Sequence, residues 1–255
     1  MTRFIISNLI IILIGEVNMD PLVSENNHID KLTKIGIALS AETDLEDFFN
    51  LVLEEAIAYS HADAGSIYTV SKDKRYLDFQ FICTISKKVQ LGPADVSKWP
   101  SVQLYDEQGE KRLKNFVSYV YHSKETLCLD DVYDQDIFDN SGTKGYDRNN
   151  NYRSKSMVAI PMMNHEKEVL GVIQLINSID NNFDIVPFTQ SHIRMLTSLA
   201  SQAGIALSNK KLIEGLENLL LQFIQTIAGA IDRKSKYTGG HISRVAKLTE
   251  QLGLK

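Results

Sequence analysis

An α+β fold, built on an antiparallel β-sheet with flanking helices and a long C-terminal helix, is what this sequence predicts. Three observations carry the prediction. Two pairs of runs rich in β-branched and aromatic residues are joined by short charged turns: "GSIYTV" and "YLDFQFICT" about "SKDKR", then "SMVAIPMM" and "EVLGVIQLIN" about "NHEK". Residues 188–232 hold no proline and read as one helix, with Gly204, Gly215 and Gly229 as soft spots. The strands are mostly neighbours in sequence, which favours antiparallel pairing over βαβ crossovers.

Taken in order, residues 28–41 set Ile29, Leu32, Ile35, Gly36 and Leu39 on one helical stripe. "TDLE" at 43–46 then forms a capping box, opening a helix whose apolar face is Leu45, Phe49, Val52, Ala56 and Tyr59. The first hairpin follows. Residues 86–112 are mixed and polar and take no assignment, whereas "LKNFVSYVYHS" (113–123) has helical spacing. "TLCLDDV" (126–132) is a short strand leading into a long polar loop over 133–155, and the second hairpin and the long helix close the order.

Along that helix Ile205, Asn209, Leu212, Leu216, Leu219, Phe223, Thr226 and Ala230 recur at alternating steps of three and four. This is a heptad seam with two polar members. Two readings stay open: the seam packs back on the protein's own sheet, or it joins two subunits as a parallel helix pair through 205–230, where a polar seam residue fixes register.

Composition narrows the function. The 255 residues are 44% hydrophobic and 23% charged, as in globular proteins, and 27 basic against 32 acidic residues leave a net charge of −5. That balance argues against nucleic acid as a partner, since neutralising phosphate takes Lys and Arg. Cys83 and Cys128 form no CxxC pair and read as reduced thiols of a cytoplasmic protein. "FIISNLIIILIG" (4–15) is shorter than the roughly 20 residues a bilayer span needs, and no small-residue cleavage site follows. Residues 1–27 therefore read as an N-terminal extension with Met19 as a plausible start; a weak anchor is the alternative to the expectation that no membrane is involved.

Two stretches, "YRSKSMVAIPMMNHEKEVLGVIQLINS" (152–178) and "FTQSHIRMLTSLASQAGIALSNKKL" (188–212), resemble the second half of GAF domains, small-molecule-binding and dimerising sensor modules of signalling proteins. The resemblance rests on Ile160-Pro161 ending one strand, Gly171 in the next, and Leu175-Ile176-Asn177. "FDNSGTKGYD" (138–147) and "YRSKS" look like the GAF domains that precede bacterial HD-GYP phosphohydrolases. "AIDRKSKYTGGHISRVAKLTEQLGL" in turn resembles the first helix and turn of an HD-GYP domain, on Tyr237, Thr238, Gly240, His241, Arg244 and Val245. Ser235 and Lys236 depart from the acidic residue and proline often found there. The implied organisation is a GAF sensor domain over 28–212, a linker helix over 213–232 and the start of an HD-GYP domain over 233–255. That family hydrolyses cyclic di-GMP at an iron or manganese centre, and His241 matches its first histidine ligand.

In this chain His241 stands alone. None of His28, His61, His122, His165 and His192 is followed by Asp, no GYP triplet occurs, and His165-Glu166 does not continue to HExxH. One imidazole cannot hold a multinuclear centre, so no cofactor and no complete catalytic site are expected here, and a di-iron or manganese centre belongs to the implied full-length parent. GxGxxG, P-loop and GxSxG patterns are absent. "DRNNNY" fails as a calcium loop, with Tyr152 in place of Gly and Val158 in place of Glu. The loop at 133–155 has the length of a functional lid; in that role Asp139, Ser141, Tyr146, Arg153 and Ser156 are the candidate ligand-binding residues, and a merely solvated loop is the plainer alternative. The cyclic-nucleotide GAF motif is incomplete. Asn177 is followed by Ser178, not Lys, and Phe188 leads to His192-Ile193, not Asp-Glu.

Overall fold

The computed structural model describes residues 45–234 except Lys98, together with Arg244 and Leu248. The stripe at 28–41, Thr43 of the expected cap and His241 lie outside the described residues. By its contacts the chain divides into two units at Leu207/Ser208.

In the first unit, α1 (Leu45–Ser60) carries no glycine or proline and buries Phe48, Phe49, Val52, Leu53, Ala56 and Ile57 along one face. β1 (Ala62–Val70) and β2 (Tyr76–Thr84) make the first hairpin, and β3 (Val89–Leu91), the single-turn α2 (Pro93–Val96) and β4 (Val102–Gln103) occupy the stretch that resisted assignment. α3 (Phe116–Ser123) starts later than its apolar spacing suggests, because Asn115 caps it, its side chain accepting from Val117 N and Ser118 N. β5 (Leu127–Leu129), α4 (Ser141–Asn150), β6 (Met157–Met163), β7 (Val169–Ile179), β8 (Ile185–Val186) and α5 (Gln190–Lys234) complete the order. The sheet runs β3-β2-β1-β7-β6-β5, with β4 beside β2 and β8 beside β7, and all of these pairings are antiparallel.

Each sheet face has its own core. On one, Ile67, Phe81, Ile160, Met162, Ile173 and Leu175 meet α1 and Leu196, Leu199, Ala203 and Leu207 of α5. On the other, Tyr68, Leu77, Met157 and Val172 meet Phe116, Val117 and Val120 of α3 and Phe138. A bulge in β2 makes this division possible: Ile67 pairs with Phe81 but Tyr68 pairs with Phe79, leaving Gln80 over. Leu77 and Phe79 therefore face the second core while Phe81 faces the first.

Two glycines mark close approaches. A Cβ on Gly171 would lie 2.2 Å from the Tyr68 carbonyl oxygen, and one on Gly204 would lie 2.3 Å from that of Met163. Gly204 is thus a seat for α5 against the end of β6 rather than a soft spot.

The expected loop over 133–155 needs correcting, because its middle is helix α4. In the second unit, the part of α5 past Leu207 leaves Leu212, Leu216, Leu219 and Phe223 59–66% exposed.

Candidate functional site

The site is built on the sheet face away from α1, where five aromatic rings follow one another. Tyr68 of β1 lies 4.4 Å from Phe79 of β2, and Phe79 lies 5.6 Å from Trp99, which follows α2. Trp99 is 6.5 Å from Tyr146 of α4, and Tyr146 is 6.5 Å from Tyr152 just beyond that helix. These are the spacings of attractive ring pairs. The row descends from a half-exposed lid to a buried floor, where the Tyr68 hydroxyl donates to Gln174 Oε1 at 2.9 Å. Burial raises the Tyr68 phenol far above its ordinary value, so it stays a neutral donor.

A polar clasp holds α4 over this face. Asp147, the one buried residue of α4, accepts from Tyr133 Oη, Ser154 N and Ser154 Oγ, each at 2.8 Å. Asp63 of β1 is buried too: its carboxylate accepts from Ser86 N at 2.9 Å, Ser86 Oγ at 2.8 Å and Tyr152 Oη at 2.7 Å. Burial, then the bond to Asp63, pushes the Tyr152 phenol strongly upward, which keeps it a donor to that carboxylate. Asn177 of β7, at φ 59°, donates from Nδ2 to the Arg153 carbonyl at 2.7 Å and to Tyr152 Oη at 3.2 Å, and accepts from Lys155 N at 2.7 Å. Asparagine suits this position because it tolerates the left-handed region while its amide bonds nearby backbone.

The five residues expected to bind ligand are spread over this region. Asp139 precedes Asn140, the N-cap of α4, and its Oδ1 accepts from Ser141 N at 2.8 Å; that bond, then the Ser141 hydroxyl, lowers its carboxyl below the usual value. Ser141 is the exposed first residue of α4. Tyr146 joins the aromatic row. Arg153 forms a two-pronged pair with Asp131 at 2.8 Å and lies 3.7 Å over the Tyr133 ring. Burial alone would raise Asp131, yet the Arg153 and Tyr133 N–H bonds hold it below its ordinary value. Ser156 is fully buried, and its hydroxyl accepts from Ser178 N at 3.1 Å.

Tyr68, Phe79, Trp99, Asp63 and Asp147 were not among the expected site residues. A signal for the two carboxylates existed: Asp63 falls between alanines at the head of an apolar strand, and Asp147 is embedded in a glycine- and asparagine-rich run. An open cleft of about 570 Å³ lies elsewhere, lined by Arg75, Gln103, Tyr105, Asp106 and Arg112 among others, and shares none of the five expected residues. Its guanidinium groups already serve the fold, Arg75 donating to the Asp106 carbonyl and Arg112 to Gln103. Ligand sites are mostly apolar with a few convergent polar groups, which favours the aromatic face. Among the described residues no group of three or more His, Cys, Asp or Glu could hold a metal ion, and no helix is long and apolar enough to cross a membrane. Both cysteines are free, and burial pushes the Cys83 thiol up to about 11.

An antiparallel sheet with helices packed on both faces places the first unit in the α+β class. A family model described as GAF domain matches residues 44–207, and the chain belongs to that family. Residues of the chain are 23% identical over 176 residues to the dual 3',5'-cyclic-AMP and -GMP phosphodiesterase 11 of Drosophila melanogaster, covering 68% of this chain and 11% of that protein. They are 29% identical over 99 residues to phosphodiesterase 11A of Takifugu rubripes, covering 39% of this chain and 10% of that one. The chain thus spans about a tenth of the length of these relatives. Among solved structures, the GAF domain of a Coxiella burnetii phosphoenolpyruvate-protein phosphotransferase aligns with TM-score 0.55 at 15% identity, covering 73% of this chain and 96% of that one. Its Acinetobacter counterpart gives 0.53 at 17%, with the same coverage.

Proposed function

We propose that this chain is a ligand-gated sensor that acts as a homodimer and regulates an attached HD-GYP-type cyclic di-GMP phosphodiesterase. The observation that carries the sensing part is the clasp: Tyr152 bonds both Asp63 of β1 and Asn177 of β7, so the lid over the aromatic row is tied to the strand that leads into α5. A small planar molecule lying against Phe79 and Trp99 would displace Tyr146 and load the clasp. Past Asn177, Ser178 pairs with Val186 of β8, and Phe188 seats the chain where α5 begins. A ligand moves this system only if it binds the two lid positions with different affinity, and ~1–3 kcal/mol of coupling is the usual scale.

The cyclic-nucleotide motif stays incomplete here, and Asn177 spends its amide within the fold. A planar ring other than a cyclic nucleotide is the better match to this face. The output domain rests on the resemblance of residues 230–254 alone. Its iron or manganese centre would draw on His241 and on further ligands that the described residues do not supply.

Trp99 is the single tryptophan and sits in the row, so its fluorescence reports occupancy directly. Native mass spectrometry of protein purified from cells, followed by titration of any released molecule against Trp99 emission, tests the reading. A copurifying ligand that quenches Trp99 and loses affinity on Tyr146→Ala supports it. A ligand that binds with Trp99 emission and the Tyr146→Ala affinity unchanged would place sensing elsewhere.

A further inference from the structure

We infer that the exposed stretch of α5 encodes two overlapping heptad seams, so that a pair of these helices has two packings related by rotation. The inference rests on the homodimer reading above. The first seam uses Leu212, Leu219 and Thr226; the second uses Ile213, Leu220 and Ile227, one residue further on in each heptad. Both share Asn209, Leu216, Phe223 and Ala230. Each therefore alternates steps of three and four over the same length, and each is complete.

Exposure agrees with this doubling. Leu212 and Leu219 are 59% and 63% exposed, and Ile213 and Leu220 are 53% and 58% exposed. A single two-stranded seam buries only two positions in seven, so either choice leaves the other row in water. At 3.5 residues per turn the two seam centres lie about 50° apart around the helix. Neither packing wins outright on composition. Thr226 spends its hydroxyl on the Gln222 carbonyl at 2.8 Å and so enters the first seam with its polar group already satisfied, while the second seam has Ile227 there.

The occupant is a second copy of this chain. A heptad row is self-complementary, and the four or five large apolar side chains of either row expose on the order of 100 Å² each, so a pair of helices buries roughly 800–1,000 Å² from these alone, the lower edge of specific interfaces. Leu221 and Ile224 are exposed as well and lie outside both rows; a bundle of three or more helices would cover them, a pair would not.

Single cysteines at 212, 213, 219 and 220, oxidised under mild conditions, read which row faces the partner, with the parent chain as background for Cys83 and Cys128. Thr226→Leu strengthens the first seam and Ile227→Asn weakens the second. Each should raise disulfide yield at 212 and 219 relative to 213 and 220, by about fivefold for one buried apolar position gained or lost. Yields at the two rows that stay fixed or move together in a chain that sediments as a dimer would overturn the inference and leave the dimer standing. A chain that sediments as a monomer would overturn the dimer itself.

Discussion

Tyr152 donates its phenolic hydroxyl to the Asp63 carboxylate at 2.7 Å, across 89 positions of sequence. The same carboxylate takes both donors of Ser86, so the start of β1, the exit of β2 and the exit of α4 meet on one buried acid. Replacing Tyr152 by Phe removes both bonds of that hydroxyl and leaves Asp63 and Asn177 each short of a partner. The expected cost is about 1–3 kcal/mol, read from urea unfolding. Amide exchange should quicken over 141–155 while β1 and β7 stay protected; uniform quickening would show that the clasp is no local device.

Gly204→Ala sets a methyl where the Met163 carbonyl already is, and backbone cannot step aside as a side chain can. We expect a loss of about 1–3 kcal/mol or more by thermal or urea unfolding. Gly145→Ala in α4 meets nothing within 4 Å and should instead stabilise that helix by up to about 1 kcal/mol.

The start of α5 carries a pH dependence. Thr189 Oγ1 accepts from His192 N at 3.2 Å and His192 Nδ1 accepts from Thr189 N at 3.4 Å, a reciprocal cap that requires an unprotonated Nδ1. Burial, aided by the charge of nearby His61, lowers His192 below its ordinary 6.5. The unfolded chain takes this proton first as pH falls. Stability from His192 is therefore complete above about pH 7 and is lost as pH drops through the folded value. The melting temperature should fall between pH 7 and 5, with a shallower slope in His192→Gln, whose amide can still complete the cap. His122, lowered chiefly by burial, contributes the same sign and sets the residual slope.

Pairing through α5 is checked by Leu216→Asp with Leu219→Asp. Each buried leucine contributes on the order of 1.5–3 kcal/mol before the cost of association, so the double variant should sediment as a monomer with its sheet spectrum intact. A double variant that remains dimeric would place the interface elsewhere.

The two hairpins, α1 and the span of α5 were legible because each carries a strong apolar period. Helix α4 was not. Gly142 and Gly145 weaken its propensity, and Asp147 is its one buried residue, so no hydrophobic stripe announced it. Part of the site was hidden for the same reason: Asp63 and Asp147 act by buried hydrogen bonds, which leave no periodic trace. Tyr146 and Arg153 were visible as polar-capable residues in a long connection. The aromatic floor at Tyr68 and Phe79 was read as ordinary strand.

Gln80, the residue left over in β2, acts as a phase slip in a two-beat pattern. Upstream of it odd-numbered side chains turn toward the aromatic row; downstream, from Phe81, they turn toward α1 and α5. Were Gln80 drawn into a regular ladder instead, Phe79 and Phe81 would fall on the same face, sending either Phe79 away from Trp99 or Phe81 out of the opposite core, so the bulge in β2 is as much a part of the site as any side chain in it.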